Sequence, residues 1–194
     1  MNPGNEPAPG VHPGAGGDHV GARSLSSVKA TGDTFGDHDS QLLGALLRAT
    51  TAAEVHAMVY AVPAEAFEHR LDQGIWRAGQ ALADNGIADP ARVVQTVVAA
   101  GLWPRDLHHE VTVRVIEAIE AARFDPHEWQ TPAVDVLTAY ARRVTASKLS
   151  MVAVVMPSAT PREIGRQLFA AAEFAETVVH WIDHVVQPPQ VVAA

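Results

Sequence analysis

The amino-acid sequence predicts an all-α protein in which an orthogonal helical bundle is followed by a long antiparallel helical hairpin. From about residue 38 to residue 187 the apolar residues recur at helical spacing, and no stretch shows the strict alternation of a half-buried strand. Signals that start a helix follow one another through the same range. Alanine and valine supply much of the apolar content and aromatic residues make up only 6% of the chain, which suits close helix packing.

The composition divides the chain into four parts. Residues 1–37 contain eight of the 14 glycines and almost no periodic apolar pattern, which predicts a disordered tail. We expect a helical globular domain over residues 38–131, a helical hairpin over 132–187 and a flexible C-terminus over 188–194.

Several classes of protein are disfavoured by composition. No run of about 18 apolar residues without a charge is present, and the N-terminus lacks a signal-peptide pattern, so we expect a cytoplasmic protein without a membrane span. The absence of cysteine excludes disulfides, thiolate zinc sites and cysteine nucleophiles. The net charge of -8 disfavours a regulator that binds DNA by itself, because such binding depends mostly on lysine and arginine. Only residues 132–194, with a net charge of zero, could present a basic patch.

The first helix is predicted to begin at Asp39, a plausible N-cap, and to bury Leu42, Leu43, Leu46 and Leu47. Gly44 lies inside it. Glycine costs about 1 kcal/mol in a helix compared with alanine, so we interpret it as a site of close helix crossing rather than as a tolerated defect.

The next elements are marked by their ends. Thr51 and Glu54 form a capping box, Pro63 opens a short helical turn, and a helix from about Asp72 ends at Asn85-Gly86. Asp89-Pro90 then starts a helix that ends at Gly101. Its four valines make a strand the alternative, but the flanking signals are those of a helix.

Residues 105–123 are predicted to form a helix with a supportive Glu110–Arg114 pair four residues apart. Its buried face is predicted to carry Val111, Val115, Ile116 and Ile119.

Two long apolar series follow, and Thr160-Pro161-Arg162-Glu163 separates them with a capping box, so they form an antiparallel hairpin. The predicted seam consists of Val134, Leu137, Ala141, Val144, Lys148, Met151 and Val155 on the first helix, and of Ile164, Leu168, Ala171, Ala175, Val178, Ile182 and Val185 on the second. The apolar residues Val152, Val154, Phe169, Phe174 and Trp181 lie off this seam. They predict either self-association or packing against the bundle.

The order of these parts resembles a known family. Residues 39–47, with the run Leu-Gly-Ala-Leu-Leu, are similar to the opening helix of DnaB-type replicative helicase N-terminal domains. Residues 63–67, Pro-Ala-Glu-Ala-Phe, resemble the family's Pro-Glu-Asp-Phe turn, and residues 89–102 resemble its helix ending in Gly-Leu. The resemblance is continuous over about 65 residues. Beyond Leu102 it rests on architecture alone, since the family also continues into a long hairpin.

The resemblance implies an assembly module. Such domains form the collar of the helicase, where they self-associate and bind primase or loader proteins. The motor's phosphate loop, G-x-x-x-x-G-K-[ST], does not occur in this sequence. We therefore expect no enzymatic activity, no cofactor, a homo-oligomer, and a partner that is a helicase, primase or loader protein, with at most weak contact to DNA.

A metal-binding helical protein is the alternative hypothesis. Glu173, Glu176, His180 and His184 lie near one face of the last helix, and facing helices could add Glu117, Glu120, His127 or Glu128. The competing interpretation is a solvated polar stripe, because no Glu-x-x-His unit occurs.

Two further sets are candidates for interaction. Arg142, Arg143, Lys148, Arg162 and Arg166 could meet near the hairpin turn, or they could form a solvated and internally paired surface. Trp76, Trp103, Trp129 and Trp181 could stack on bases, but their apolar surroundings favour the core. With Phe169, Phe174 and Trp181, the five basic residues form the predicted interaction set.

Overall fold

A computed structural model of the chain describes residues 35–187, except residues 85, 87 and 124. The predicted tail 1–37 lies outside the described residues apart from the backbone of its last three, and so does the predicted C-terminus 188–194. Of the predicted Asn85-Gly86 stop, only Gly86 is described, with a positive φ of 120°.

Every regular element in the described part of the chain is helical, which confirms the all-α class. The helices are α1 (Phe35–Arg48), α2 (Ala52–Ala61), α3 (Arg70–Ala83), α4 (Pro90–Ala99), α5 (His108–Ala121), α6 (Gln130–Val155) and α7 (Pro161–Val186). Short 3-10 turns occupy Ala64–Ala66, Arg105–Leu107 and Pro126–Glu128. The valine-rich stretch is therefore helix α4, as predicted. None of the described helices is both long enough and apolar enough to cross a membrane.

The predicted local starts are confirmed at three helices. Both capping boxes form: Thr51 and Glu54 cap α2, and Thr160 and Glu163 cap α7. At α4 the Asp89 side chain accepts a hydrogen bond from the Arg92 N–H at 3.0 Å. These residues satisfy backbone donors that the first turn of a helix leaves without partners.

The predicted N-cap at Asp39 is wrong. Helix α1 begins at Phe35, so Asp39 lies in its second turn. Its carboxylate instead accepts a hydrogen bond from the Glu68 N–H, at 3.3 Å, just before α3. Asp39 thus connects two segments that are 29 residues apart in the sequence.

Gly44 marks a close crossing of α1 and α5, as predicted. A Cβ atom at this position would collide with the carbonyl oxygen of Ala118 and would lie 2.6 Å from the Cβ of Ala122. Glycine is therefore required because the two backbones approach each other here.

One apolar core receives side chains from all seven helices. Trp76 and Phe67 lie at its centre with ring centroids 4.9 Å apart, and the Trp76 indole donates a 2.8 Å hydrogen bond to the Val62 carbonyl. The hairpin contributes Ala133, Val136 and Leu137 from α6, and Val178 and Val185 from α7. The base of the hairpin is thus part of the same core as the bundle.

A buried ion pair joins α3 to α5. The Arg114 guanidinium donates from Nε and Nη2 to the two carboxylate oxygens of Asp72, at 2.6 and 2.9 Å, and from Nη1 to the Ser40 hydroxyl at 3.0 Å. The predicted Glu110–Arg114 pair is therefore wrong, because Glu110 accepts the Trp103 indole N–H instead.

The buried face of α5 also differs from the prediction at one position. Val111 and Val115 are buried as expected and Ile119 is half-buried, but Ile116 is 49% exposed. Ala118 takes the place in the core that the prediction gave to Ile116.

Candidate interaction surface

Helices α6 and α7 pack against each other in antiparallel fashion. Tyr140, in the first half of α6, stacks on Trp181 near the end of α7 with ring centroids 6.4 Å apart, and meets Phe174 edge-on at 5.4 Å. Phe174 and Trp181 are half-buried by this contact and pack on the core. The off-seam apolar residues were predicted either to self-associate or to pack against the bundle. Phe174 and Trp181 therefore follow the second alternative.

The seam between the two helices agrees with the prediction near the bundle and departs from it near the turn. Leu137, Ala171, Val178 and Val185 are buried, and Val134, Ala141, Val144, Lys148, Ile164, Ala175 and Ile182 are half-buried. Met151, Val155 and Leu168 are exposed, and Val152 is buried instead. Eleven residues complete three helical turns, so Val152 lies in line with Ala141, whereas the predicted step to Met151 leads away from α7.

Helix α7 carries a second, exposed apolar row beside its buried one. Ala172, Val179 and Val186 each directly follow a buried seam residue, and Leu168 continues the row toward the turn. Val179 is 57% exposed. With Gly165 and the half-buried Ala175, these residues recur at steps of three and four up to Val179, and Val186 follows seven residues later. We call Gly165, Leu168, Ala172, Ala175, Val179 and Val186 the α7 row. A row with this spacing is suited to receive another helix.

Helix α6 has an exposed apolar patch in its outer half. Ser147, Ser150, Met151, Val154 and Val155 line a shallow depression of about 340 Å³, and Val154 is 79% exposed. Steps of three and four connect this patch to Val136 and Tyr140, which pack on the core in the first half of the helix. The same face of α6 is thus covered by the bundle at one end and exposed at the other.

The five basic residues do not form one patch at the turn. The Arg143 guanidinium donates to the Ala66 carbonyl at 3.0 Å and lies 5.6 Å from the Tyr140 ring, about 18 Å from the end of α6. The Lys148 ammonium lies 5.8 Å from the Phe174 ring. Arg142, Arg162 and Arg166 are exposed. Arg143 is therefore an anchor between the hairpin and the bundle rather than part of an open basic surface.

The aromatic candidates divide in the same way. Trp76 and Trp129 are buried, as the core interpretation predicts, while Trp103 and Trp181 are half-buried. Phe169 is exposed and stays available for an interaction.

The metal-binding alternative receives no support from the arrangement of side chains. Glu173, Glu176, His180 and His184 are all exposed on α7, and the two imidazole rings lie 4.5 Å apart. The candidate His127 bonds to Glu54 on α2 at 2.6 Å. In the part of the chain that the structure describes, no three His, Asp or Glu side chains converge as ligands for a metal ion. The geometry corresponds to a polar stripe.

Sequence reasoning missed the cluster of Asp39, Asp72 and Arg114. The sequence contained an indication of this cluster, because Asp39 and Asp72 occupy helix positions on the same face as buried apolar residues. Asp39 precedes Leu42 by three positions, and Asp72 precedes Ile75 by three. A charge on an apolar face predicts a buried partner, although it does not identify that partner.

No protein-family model, curated protein or solved structure matches the chain. The resemblance of residues 39–102 to replicative helicase N-terminal domains therefore stays a prediction.

Proposed function

We propose that this protein is a non-enzymatic assembly module of DNA replication, which self-associates through the α7 row and binds a helicase, primase or loader protein. The exposed α7 row carries the proposal. It extends along most of α7, from Gly165 to Val186, and apart from the half-buried Ala175 its members are exposed beside the seam that holds the hairpin together. Continuous exposed apolar surface of this kind marks a site of protein association.

A second copy of the chain is the occupant that the row fits best. Pairing two α7 helices in antiparallel fashion about Thr177 places Leu168 opposite the partner subunit's Val186. It also places Ala175 opposite the partner subunit's Val179, so a small residue faces a larger one. This surface is self-complementary under a two-fold axis, and two hairpins joined in this way make a four-helix bundle.

Gly165, Ala172 and Ala175 add a second reason for a helical occupant. Their small side chains let a neighbouring backbone approach closely, and a Cβ atom at Gly165 would meet nothing within 4 Å. A flat or irregular partner would leave these positions unfilled.

The link to replication is supported by the similarity of residues 39–102 to helicase N-terminal domains, and by a hairpin at the corresponding place. If α7 is occupied by a second copy, the outer patch of α6 stays open for the replication partner. The lack of a phosphate loop supports a role in assembly rather than in catalysis.

Light scattering tests the self-association step. We expect the intact chain to have at least twice the monomer mass of 20.6 kDa, and Val179→Lys to reduce it to a monomer. Val154→Lys is the matched control, because Val154 is equally apolar and more exposed but lies on α6. A monomeric intact chain, or equal masses for the two variants, would refute pairing through the α7 row.

Point substitutions are needed here because the hairpin cannot be removed cleanly. A truncation after Thr131 would remove Leu137, Val178 and Val185 from the core and would unfold part of the bundle. A loss of mass in such a truncated chain would therefore not report on the interface.

Sedimentation velocity tests the partner. The chain is mixed in turn with the purified replicative helicase, primase and loader protein of the same cell. We expect one of these mixtures to give a faster boundary containing both proteins, and Val154→Lys to weaken that complex. If none of the three proteins co-sediments with the chain, the replication role is wrong even where self-association holds.

A further inference from the structure

A cleft opens where α1, α3 and α5 meet. It encloses about 440 Å³. It is lined by Asp39 on α1, by Arg70 and Asp72 at the start of α3, by Trp103, and by Arg114 and Glu117 on α5, together with Ser40, His69 and Leu71. Buried charged groups and a half-buried aromatic side chain thus converge on one concave site, which is the usual form of a small-ligand site.

Among the groups that line this cleft, the three carboxylates of Asp39, Asp72 and Glu117 outnumber the two arginines, Arg70 and Arg114. Asp72 is completely buried and is neutralised by its two hydrogen bonds from Arg114. Asp39 is 8% exposed and makes no ion pair with any described residue. One of its oxygens accepts the Glu68 N–H, and its other oxygen has no hydrogen-bond donor among the described residues. The cleft therefore contains a buried carboxylate that lacks a counter-ion.

The surroundings of Asp39 disfavour its ionised form and raise its pKa. Burial raises the pKa of Asp39 to about 6, and the negative charge of Asp72 adds to the rise. The Glu68 hydrogen bond and the charges of Arg143 and Arg114 lower the pKa without restoring its ordinary value. At neutral pH the ionised carboxylate is held in surroundings that disfavour it, and a positively charged ligand would relieve this.

We propose that the cleft binds an alkylammonium group, with Asp39 as its counter-ion and with Glu117 and Trp103 beside it. An ammonium group brings three N–H donors, which suit the free oxygen of Asp39 and the exposed carboxylate of Glu117, whose contact with Arg114 is a long one of 3.9 Å. The Trp103 ring offers a face for a cation. This proposal does not depend on the proposed function.

Other ligand classes fit the cleft less well. An anion could meet the exposed Arg70, but it would also meet Asp39 and Glu117, while the Arg114 donors are already engaged by Asp72 and Ser40. A metal ion would need more ligands than the described residues bring together, because no three His, Asp or Glu side chains converge. An organic ammonium needs only one or two carboxylates and an apolar wall.

NMR titration with n-butylammonium chloride tests the proposal on the full chain. We expect saturable chemical-shift changes of the Glu68 amide and of the Trp103 indole N–H, with a dissociation constant of about 1 mM. The indole signal of Trp103 is assigned by its loss in Trp103→Phe. Tetramethylammonium chloride is the matched salt control, because it carries the same charge without an N–H donor. Shifts that do not saturate, or that are equal with both salts, would overturn the proposal.

Substitutions locate the site. Asp39→Asn should weaken binding at least tenfold, and Glu117→Gln should weaken it less. Glu120→Gln, an exposed change on the same helix, should leave the affinity unchanged. Equal affinity in Asp39→Asn and the intact chain would refute the role of Asp39.

The pH dependence separates a counter-ion from a residue that only supports the fold. The charged groups that act on Asp39 are Asp72, Arg114 and Arg143, and the cleft also contains His69, Arg70 and Glu117. Because a proton competes with the ligand at Asp39, the affinity should fall about tenfold between pH 7 and pH 5. An affinity that is constant over this range would contradict the proposal. Comparing spermidine with an N-acetyl-lysine amide then shows whether a free polyamine or a lysine side chain is the better source of the ammonium.

Discussion

The bundle of α1–α5 and the outer half of the hairpin use similar apolar residues but bury them to different extents. In the bundle, large side chains such as Trp76, Phe67 and Met58 are inaccessible to solvent. Within residues 144–174, which we call the outer hairpin, the structure buries only Val152 and Ala171. Met151, Val154 and Phe169 in the same segment are largely exposed.

This difference separates two roles of an apolar residue. In the bundle, apolar and charged groups are placed for the stability of the fold, so a substitution there should change the free energy of unfolding. In the outer hairpin most apolar groups contribute little to the isolated chain, so a substitution should change association instead. Four sets of substitutions test this division.

Arg114→Met should lower the free energy of unfolding by about 3–5 kcal/mol, because it leaves the buried Asp72 carboxylate without a counter-ion. Urea denaturation measures the effect. Arg70→Met, which removes an exposed arginine from the same cleft, is the control and should cost less than about 0.5 kcal/mol. A loss below 1 kcal/mol in Arg114→Met would mean that Asp72 is hydrated rather than buried.

Asp39→Asn should stabilise the protein by about 3 kcal/mol at pH 8 and should have no effect near pH 3.5. The folded pKa of about 6 lies above the unfolded value of 3.8, so the folded state binds the proton more tightly. The stability of the intact chain therefore falls as the pH rises from about 4 to about 6, and this fall is absent from the variant. Thermal unfolding at several pH values measures it, with the exposed Asp106→Asn as control. A variant that is less stable at pH 8 would show that the ionised Asp39 is well accommodated.

Gly44→Ala should destabilise the protein by about 1–3 kcal/mol, because the new methyl group forces α1 and α5 apart. Gly74→Ala is the matched control, since its Cβ would lie 3.6 Å from Leu102, an ordinary contact. The control should be neutral or slightly stabilising, as alanine favours a helix over glycine. Equal effects of the two changes in urea denaturation would argue against the close crossing.

Val152→Ala and Met151→Ala compare neighbouring residues in the outer hairpin. The first removes a buried side chain and should cost about 1–2 kcal/mol, whereas the second removes an exposed one and should cost less than about 0.5 kcal/mol. Chemical denaturation at low protein concentration, where association does not contribute, distinguishes them. The reverse order would restore the originally predicted seam through Met151.

The sequence was sufficient where the cause of a structure is local. The capping boxes at Thr51 and Thr160, the Asp89-Pro90 start and the helical nature of α4 each depend on residues within one or two turns. Gly44 was also predictable, because a glycine inside a leucine-rich helix has few reasons other than close packing.

The wrong predictions share a cause, because in each of them the side chain bonds to a partner that is distant in the sequence. Asp39 has the residue type of an N-cap, yet its carboxylate meets a backbone N–H 29 residues away. Arg114 had a suitable local partner in Glu110, but a fully buried Asp72, 42 residues away, binds it instead. Arg143 likewise donates a hydrogen bond to the Ala66 carbonyl instead of joining a basic patch at the hairpin turn. Periodicity shows which face of a helix is apolar, but not which neighbour covers it.

The continuity of α6 has a mechanical consequence. Its 26 residues form one rod about 39 Å long, with no break between the end embedded in the core and the free end beyond Lys148. The rod is held near its middle by the hydrogen bond of Arg143 to the bundle and by the stacking of Tyr140 on α7. Such a rod acts as a lever: a partner that tilts its free end turns Ala133 and Val136 within the core and transmits the load to the bundle.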